Sequence, residues 1–143
     1  MSAFIFNELN FDDHEQVVFV SEAKSGLKGI IAVHNTNLGP AMGGCRMWNY
    51  ATEAEALRDA LRLSRGMTYK NAVAGLPIGG GKSVIMANPK DVTEEMLKAY
   101  AAALNTLRGK YICAEDVGST VKMLDFIGKH TLYATGLSHK GSS

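Results

Sequence analysis

Neither sign of charge prevails in this chain: fifteen Lys and Arg stand against fourteen Asp and Glu, a net charge of +1. That balance leaves no electrostatic footprint for nucleic acid or an acidic membrane surface. Cysteine is almost absent. Cys45 and Cys113 are the only two, without C-x-x-C spacing and in apolar or glycine-rich surroundings, which reads as buried free thiols rather than a disulfide or metal pair. No apolar run approaches the ~18 residues of a membrane-spanning helix. The amino terminus, MSAFIFNELNFDDHE, is acidic and lacks the basic start of a secretory signal, so a cytoplasmic protein is expected. Repeats and low-complexity tracts are also missing.

What is present is a globular composition, 46% apolar and 20% charged over 143 residues, the size of one domain. A chain of that length buries roughly two-thirds of its unfolded surface. EQVVFVSEA (15–23) and LKGIIAVHN (27–35) read as strands joined by a tight turn, and MGGCRMW (42–48) as a third. Thr52 with Glu55 forms a capping box ahead of a helix over 53–72, with Leu57, Ala60, Leu61, Ser64 and Met67 at helical spacing. KSVIMA (82–87) reads as a strand. Asp91 with Glu94 opens a second helix, YICAED (111–116) is a further strand, and Ser119 caps a last helix, TVKMLDFIGKH. Strands alternating with helices predict an α/β layered domain. The leading hairpin makes its sheet mixed rather than parallel.

GLPIGGGKS (75–83) looks like a triphosphate-binding loop, G-x-x-x-x-G-K-[ST]. The first glycine would have to occupy position 76, which is Leu. The residues after Lys82 prefer strand, whereas a phosphate loop leads into a helix. Glycines ahead of a strand instead let backbone and ligand approach closely. Lys82 is then either a cation at the rim of a cleft or a strand-start lysine reaching for water.

Three other places carry the same suggestion. Met42-Gly43-Gly44 precedes Arg46. Gly66, inside a helix at a cost of about 1 kcal/mol relative to Ala, suggests a close approach there. Leu63, Met67 and Lys70 share one helical face, so Lys70 sits either among apolar neighbours or at the stripe's edge. Asp116, in EDVG, ends a strand where α/β sheets place their chemistry, although an aspartate before a turn is also ordinary capping.

LGPAMGGCRMW, RGMTYKNAVAGLPIGGGKSVI and AEDVGST, in this order and at these intervals, resemble the amino-terminal part of the glutamate/leucine/phenylalanine/valine dehydrogenase family. The likeness covers nearly the whole chain. It implies NAD-dependent, reversible oxidative deamination of an L-amino acid to a 2-oxo acid and ammonia. It further implies a first domain for substrate and subunit contacts in a homo-oligomer, and a second, Rossmann-type domain for the cofactor. Carried over by position, Lys70 holds the substrate α-carboxylate, Lys82 is the catalytic lysine and Asp116 moves protons to and from the amino group. Gly43 and Gly44 let substrate lie against backbone, and Met67 lines the pocket. A second ammonium ~6 Å from Lys82 would repel its charge by roughly 3 kcal/mol and so favour proton release. Glutamate-using relatives carry a lysine at the position of Met42. Without that cation a second carboxylate is costly to bury, which points to branched aliphatic substrates, with phenylalanine- or valine-specific enzymes as alternatives.

The chain departs from the family in having no G-x-G-x-x-G: Gly79 and Gly81 would require glycine at 84, which is Val. Residues 1–137 are therefore expected to form the substrate-binding and oligomerisation domain. The segment 138–143 is expected to be a tail at which the chain is cut, with cofactor-binding residues unknown and no metal site. A non-catalytic assembly module of the same fold and a phosphate-binding protein are the rival readings.

Overall fold

A computed structural model of the chain describes residues 5–8 and 11–135; the tail expected over 138–143 lies outside the described residues. The leading hairpin forms as anticipated, with β1 (Gln16–Glu22) and β2 (Leu27–Asn35) paired antiparallel. Its turn passes through Gly26 at φ 81°, a conformation that favours glycine. β3 (Ala41–Trp48) follows, then the long helix α1 (Glu53–Val73) and β4 (Gly79–Met86). The chain continues through α2 (Glu94–Thr106), β5 (Tyr111–Glu115) and α3 (Val121–Gly128). The sheet order is β1-β2-β4-β3-β5. β4 pairs antiparallel with β2 and parallel with β3, and β3 pairs parallel with β5. The mixed sheet expected from the sequence is thus present.

The two faces of the sheet build two separate cores. On one, Ala56, Leu57, Ala60 and Leu61 of α1 pack on Ile30, Ala32 and Val84. On the other, Met96, Leu97, Tyr100 and Leu104 of α2, with Leu124 and Ile127 of α3, cover Ile31, Cys45, Met47 and Ile85. Alternation along β4 assigns its side chains to these layers. Lys82 and Val84 face α1, and Ser83 and Ile85 face α2. Cys45 and Cys113 are free and buried, as expected, and burial pushes the Cys45 thiol up to about 11. Among the described residues no helix is long and apolar enough to cross a membrane.

α1 lies unusually close to β4. A Cβ built on Gly80 would stand 2.1 Å from Thr68 Oγ1 and 2.2 Å from the Thr68 amide nitrogen, so only glycine admits this crossing. Asn71 Nδ2 donates to the Gly79 carbonyl at 2.8 Å and ties the same helical end to the strand. Gly66 is different: a Cβ there meets nothing within 4 Å. The contact anticipated at Gly66 is made two residues later by Thr68.

Caps also differ in detail. Thr52 caps α1 as read, accepting from the Glu55 amide at 3.1 Å. α2 is capped by Thr93, not Asp91, because Pro89–Asp91 forms a short 3-10 turn after Asn88-Pro89. α3 is capped by Thr120, not Ser119; the Ser119 hydroxyl instead accepts from the Asp116 amide at 2.8 Å.

Two buried histidines meet edge to face beneath α1, rings at 72° and 4.7 Å between centroids. His34 Nε2 meets Asp12 at 2.9 Å and its Nδ1 meets the Thr68 hydroxyl at 2.7 Å. His14 donates Nδ1–H to the Phe11 carbonyl, and its Nε2 lies 2.6 Å from Ser64 Oγ. Burial lowers the His14 pKa below 6.5 despite those carbonyl contacts. The unfolded chain therefore binds a proton at His14 more readily than the folded one, and stability falls as pH drops below about 6.5. Thermal melts should show near-constant stability between about pH 7 and 8 and a decline by pH 5.5, ahead of any carboxylate protonation. His14→Asn should lower the melting temperature but remove that step. An identical slope in the variant would show that another group is responsible.

Candidate active site

Asp116 follows directly on the carboxyl end of β5, level with the middle of β3 and β4, and turns onto the α1 face of the sheet. Its Oδ2 accepts from Lys82 Nζ at 2.6 Å and from Arg46 Nε at 3.1 Å. Lys82 is buried, with 6% of its surface exposed. A buried ammonium is tolerable only with such a partner. The extended backbone of β4 delivers Lys82 to this place between Ala32 of β2 and β3. The strand begins with the three glycines themselves, Gly79–Met86. No helix follows Lys82, and the phosphate-loop reading falls with that observation.

Arg46 also reaches α1, where its Nη1 meets Asp59 Oδ2 at 3.2 Å. The same oxygen accepts from the Tyr50 hydroxyl at 2.6 Å, and Asp59 Oδ1 accepts from Arg62 at 2.7 Å. The result is an alternating row, Lys82, Asp116, Arg46, Asp59, in which each inner charge lies between two of opposite sign. Burial alone would raise the Asp116 pKa. The hydrogen bond and charge of Lys82, then the charge of Arg46, outweigh it and hold the carboxyl below the usual 3.8. Asp59 is likewise lowered: burial opposes, while Tyr50, Arg62 and Arg46 prevail.

Gly44 makes room for this carboxylate. A Cβ on Gly44 would fall 2.5 Å from Asp116 Cβ and 2.7 Å from the Glu115 carbonyl. A Cβ on Gly43 would approach Met67 Cγ to 3.4 Å, as well as the Gly81 carbonyl. Met67, on α1, is half-buried. Met42 is half-buried too, and alternation along β3 puts it on the face that carries Arg46. Lys70 stands apart from the ionic row. It is exposed on the last turn of α1, and among the described residues its ammonium makes no hydrogen bond or ion pair. The charge in contact with Lys82 is therefore a carboxylate, not the Lys70 ammonium that repulsion arguments from sequence bring forward.

Asp59 and Tyr50 are not singled out by the sequence, and Arg46 stands out there only as the residue that follows the Met42-Gly43-Gly44 site. A signal existed: Arg46 interrupts a strand that is otherwise apolar or glycine, and Asp59 adjoins the Ala56–Ala60 stripe of α1. Arg46 and Asp116 are separated by 70 residues, and only the fold reveals the pairing. Among the described residues there is no group of three or more His, Cys, Asp or Glu able to hold a metal ion.

Comparison with known proteins bears on the chain as a whole. Residues 14–133 match the family described as Glu/Leu/Phe/Val dehydrogenase, dimerisation domain. The chain is 55% identical to leucine dehydrogenase of Geobacillus stearothermophilus over 141 residues, 97% of this chain and 38% of that protein. It is 51% identical to valine dehydrogenase of Streptomyces coelicolor over 126 residues, 87% of this chain and 35% of that protein. The crystal structure of L-tryptophan dehydrogenase from Nostoc punctiforme superposes with a TM-score of 0.86 at 46% identity, covering 90% of this chain and 39% of that one. The chain thus spans about two fifths of the length of these relatives.

The ionic row makes a prediction. Arg46→Leu leaves Asp116 and Asp59 each short of one cation and should destabilise the fold by about 3 kcal/mol. The Asp116 carboxyl should titrate at higher pH than in the unmodified chain, measured by carbon-13 NMR. An unmoved Asp116 titration would mean that Lys82 alone sets its charge.

Proposed function

The chain belongs to the Glu/Leu/Phe/Val dehydrogenase family, and from that premise we propose that it is the substrate-binding and oligomerisation portion of an NAD-dependent L-amino acid dehydrogenase. Residues 1–137 form that portion, which associates into a homo-oligomer in the cytoplasm. The reaction is the reversible oxidative deamination of a branched aliphatic L-amino acid, leucine foremost, to its 2-oxo acid and ammonia. The observation that carries this reading is the buried Lys82–Asp116 pair at 2.6 Å, set beside the glycines of β3 and β4 where the short strand β5 ends.

Each residue has a role suited to its surroundings. Lys70, exposed and without an ionic partner among the described residues, takes the substrate α-carboxylate as a charge-assisted pair. Lys82, as an ammonium, donates to the oxygen of the carbonyl or carbinolamine; as an amine it accepts the proton of the attacking water. Asp116, ionised at neutral pH, receives a proton from the substrate ammonium and returns it in the reverse direction. Its contact with Lys82 gives the two groups a direct path for proton exchange. Gly43 and Gly44 leave the recess open to the substrate backbone, while Met67 and Met42 offer apolar, polarisable walls to its side chain. With methionine at position 42 there is no cation for a side-chain carboxylate, so glutamate is disfavoured. Discrimination among aliphatic chains is worth only ~1–3 kcal/mol per methylene, and valine and isoleucine should also be accepted.

NAD supplies the hydride acceptor in this reaction. The residues of this chain do not fit it: no G-x-G-x-x-G is present, and the richest glycine stretch is strand β4 rather than a loop opening a helix. The cofactor belongs on the family's Rossmann-type domain.

Thermal-shift measurements on this chain test the reading at the level of binding. The branched 2-oxo acid 4-methyl-2-oxopentanoate should stabilise it, 2-oxoglutarate should do so less, and ATP not at all. Stabilisation by ATP alone would overturn the proposal. In a full-length enzyme carrying this chain, Lys82→Ala should abolish deamination with the fold kept, and Lys70→Ala should chiefly raise KM. Near-normal turnover by Lys82→Ala would remove its catalytic role.

A further inference from the structure

The face of the sheet opposite the ionic row carries a feature that packing does not require. Tyr100, Tyr111 and Ser83 are buried in the α2-side core. Their hydroxyls are linked: Ser83 Oγ lies 2.6 Å from the Tyr100 hydroxyl and 3.0 Å from that of Tyr111. The Tyr111 hydroxyl also donates to the Gly43 carbonyl at 2.7 Å, with the Gly44 carbonyl at 3.4 Å. Proton counting orders the chain. A carbonyl accepts only, so the single proton of Tyr111 is committed to Gly43. Ser83 must then donate to Tyr111, and Tyr100 to Ser83. The sequence Tyr100, Ser83, Tyr111, Gly43 runs in one direction, each bond polarising the next. Burial raises both phenols well above their ordinary pKa, so they act as neutral hydroxyls.

The chain ends at a gap in the β3–β4 pairing, where Gly43 and Gly44 stay paired with Cys113 and Ala114 of β5. Pairing between β3 and β4 runs from Ala41 to Met42, omits Gly43 and Gly44, and resumes at Cys45 opposite Ser83. A Cβ on Gly43 would point at the Gly81 carbonyl, 1.7 Å away. The backbone is therefore rolled, with its side-chain direction aimed at the adjacent strand rather than at either face. The Tyr111 ring fits beneath this point because Gly81 has no side chain; a Cβ there would lie 2.6 Å from the ring. Above the rolled segment, Asp116 and Met67 pack directly against Gly44 and Gly43.

We propose that Tyr111, backed by Ser83 and Tyr100, is a positioning residue for the site: its hydroxyl holds the Gly43–Gly44 backbone on which Asp116 is seated and thereby sets how Asp116 meets Lys82. Phenylalanine would fill the same space at lower desolvation cost. The hydroxyl answers a carbonyl at the gap in the β3–β4 ladder. The proposal deepens the dehydrogenase reading and, as to catalysis, rests on it.

The test uses carbon-13 NMR of this chain, following the Gly43 carbonyl resonance and the titration of the Asp116 carboxyl. Groups able to move that titration are Lys82 on β4, Arg46 and Cys45 on β3, Tyr50 just after β3 and, through Arg46, Asp59 on α1. None is changed by the substitutions used. Tyr111→Phe should shift the Gly43 resonance and raise the Asp116 midpoint by about half a pH unit or more. Ser83→Ala keeps the Tyr111–Gly43 bond but removes its backing, and should move both in the same direction by less; it decides the matter if Tyr111→Phe does not fold. In a full-length enzyme carrying this chain, Tyr111→Phe should lower kcat about tenfold or more, leave KM within about threefold and move the acid limb of the pH profile. A lowered melting temperature with the Asp116 titration and kcat unchanged would make the hydroxyls purely structural and overturn the inference. The dehydrogenase reading fails separately, if Lys82→Ala retains turnover, whatever the NMR titration does.

Discussion

One carboxylate oxygen, Asp116 Oδ2, receives both Lys82 and Arg46, and the arrangement of three strands and a helix follows from keeping it there. A lysine ammonium buried without a partner costs several kcal/mol, so β4 can carry Lys82 internally only if β5 ends beside it with an acid. Arg46 brings a second cation, which needs a second acid, and Asp59 answers from α1. Charge balance thus links β3, β4, β5 and α1 across long stretches of sequence. The row is neutral as a whole, and that permits its burial against an apolar layer of Ala32, Ala60 and Val84.

Space for the row comes from glycine. β3 and β4 each carry glycines at the level of the ionic contacts, and each has a different neighbour: Gly44 admits Asp116, Gly80 admits Thr68 of α1, and Gly81 admits the Tyr111 ring. Such substitution-intolerant contacts on both faces explain why the sheet centre is glycine-rich although glycine weakens strands. The loss in local propensity is offset by the two cores that clasp β4 from either side. A strand buried on both faces cannot shift register without moving Lys82 to the wrong layer.

Much of this architecture is readable from the chain alone, because the periodicities are strong. The apolar spacing of Leu57, Ala60 and Leu61 and the β-branched runs in β1 and β2 locate their elements to within a residue or two. The mixed sheet follows from the hairpin. Boundaries fail at two caps: Asn88-Pro89 starts a short turn that takes up Asp91 and leaves the cap of α2 to Thr93, and the Ser119 hydroxyl is used on the Asp116 amide, which leaves the cap of α3 to Thr120. Gly66 was misread for a different reason. A glycine in a helix signals that something is permitted, not what is near it. The pairings of Arg46 with Asp59 and Asp116 were invisible because side-chain partnership depends on strand order, and β3 lies between β4 and β5 only in the fold.

The electrostatics also separate the two lysines that the motifs bring to attention. Lys82 already has its counter-charge within the protein, so a substrate carboxylate would have to compete with Asp116 for it at the expense of a buried, well-formed pair. Lys70 is exposed on the helix end, with no ionic partner among the described residues. It also faces no desolvation cost until a ligand arrives. On the proposed reading an incoming carboxylate therefore gains most at Lys70, and the internal pair is left intact for proton movement. A single lysine could not serve both purposes, since binding an anion firmly and exchanging a proton readily place opposite demands on one ammonium. The division of labour proposed for an outer and an inner lysine follows from where α1 ends and where β4 begins, fixed by the contact of Thr68 with Gly80 and the bond from Asn71 to Gly79.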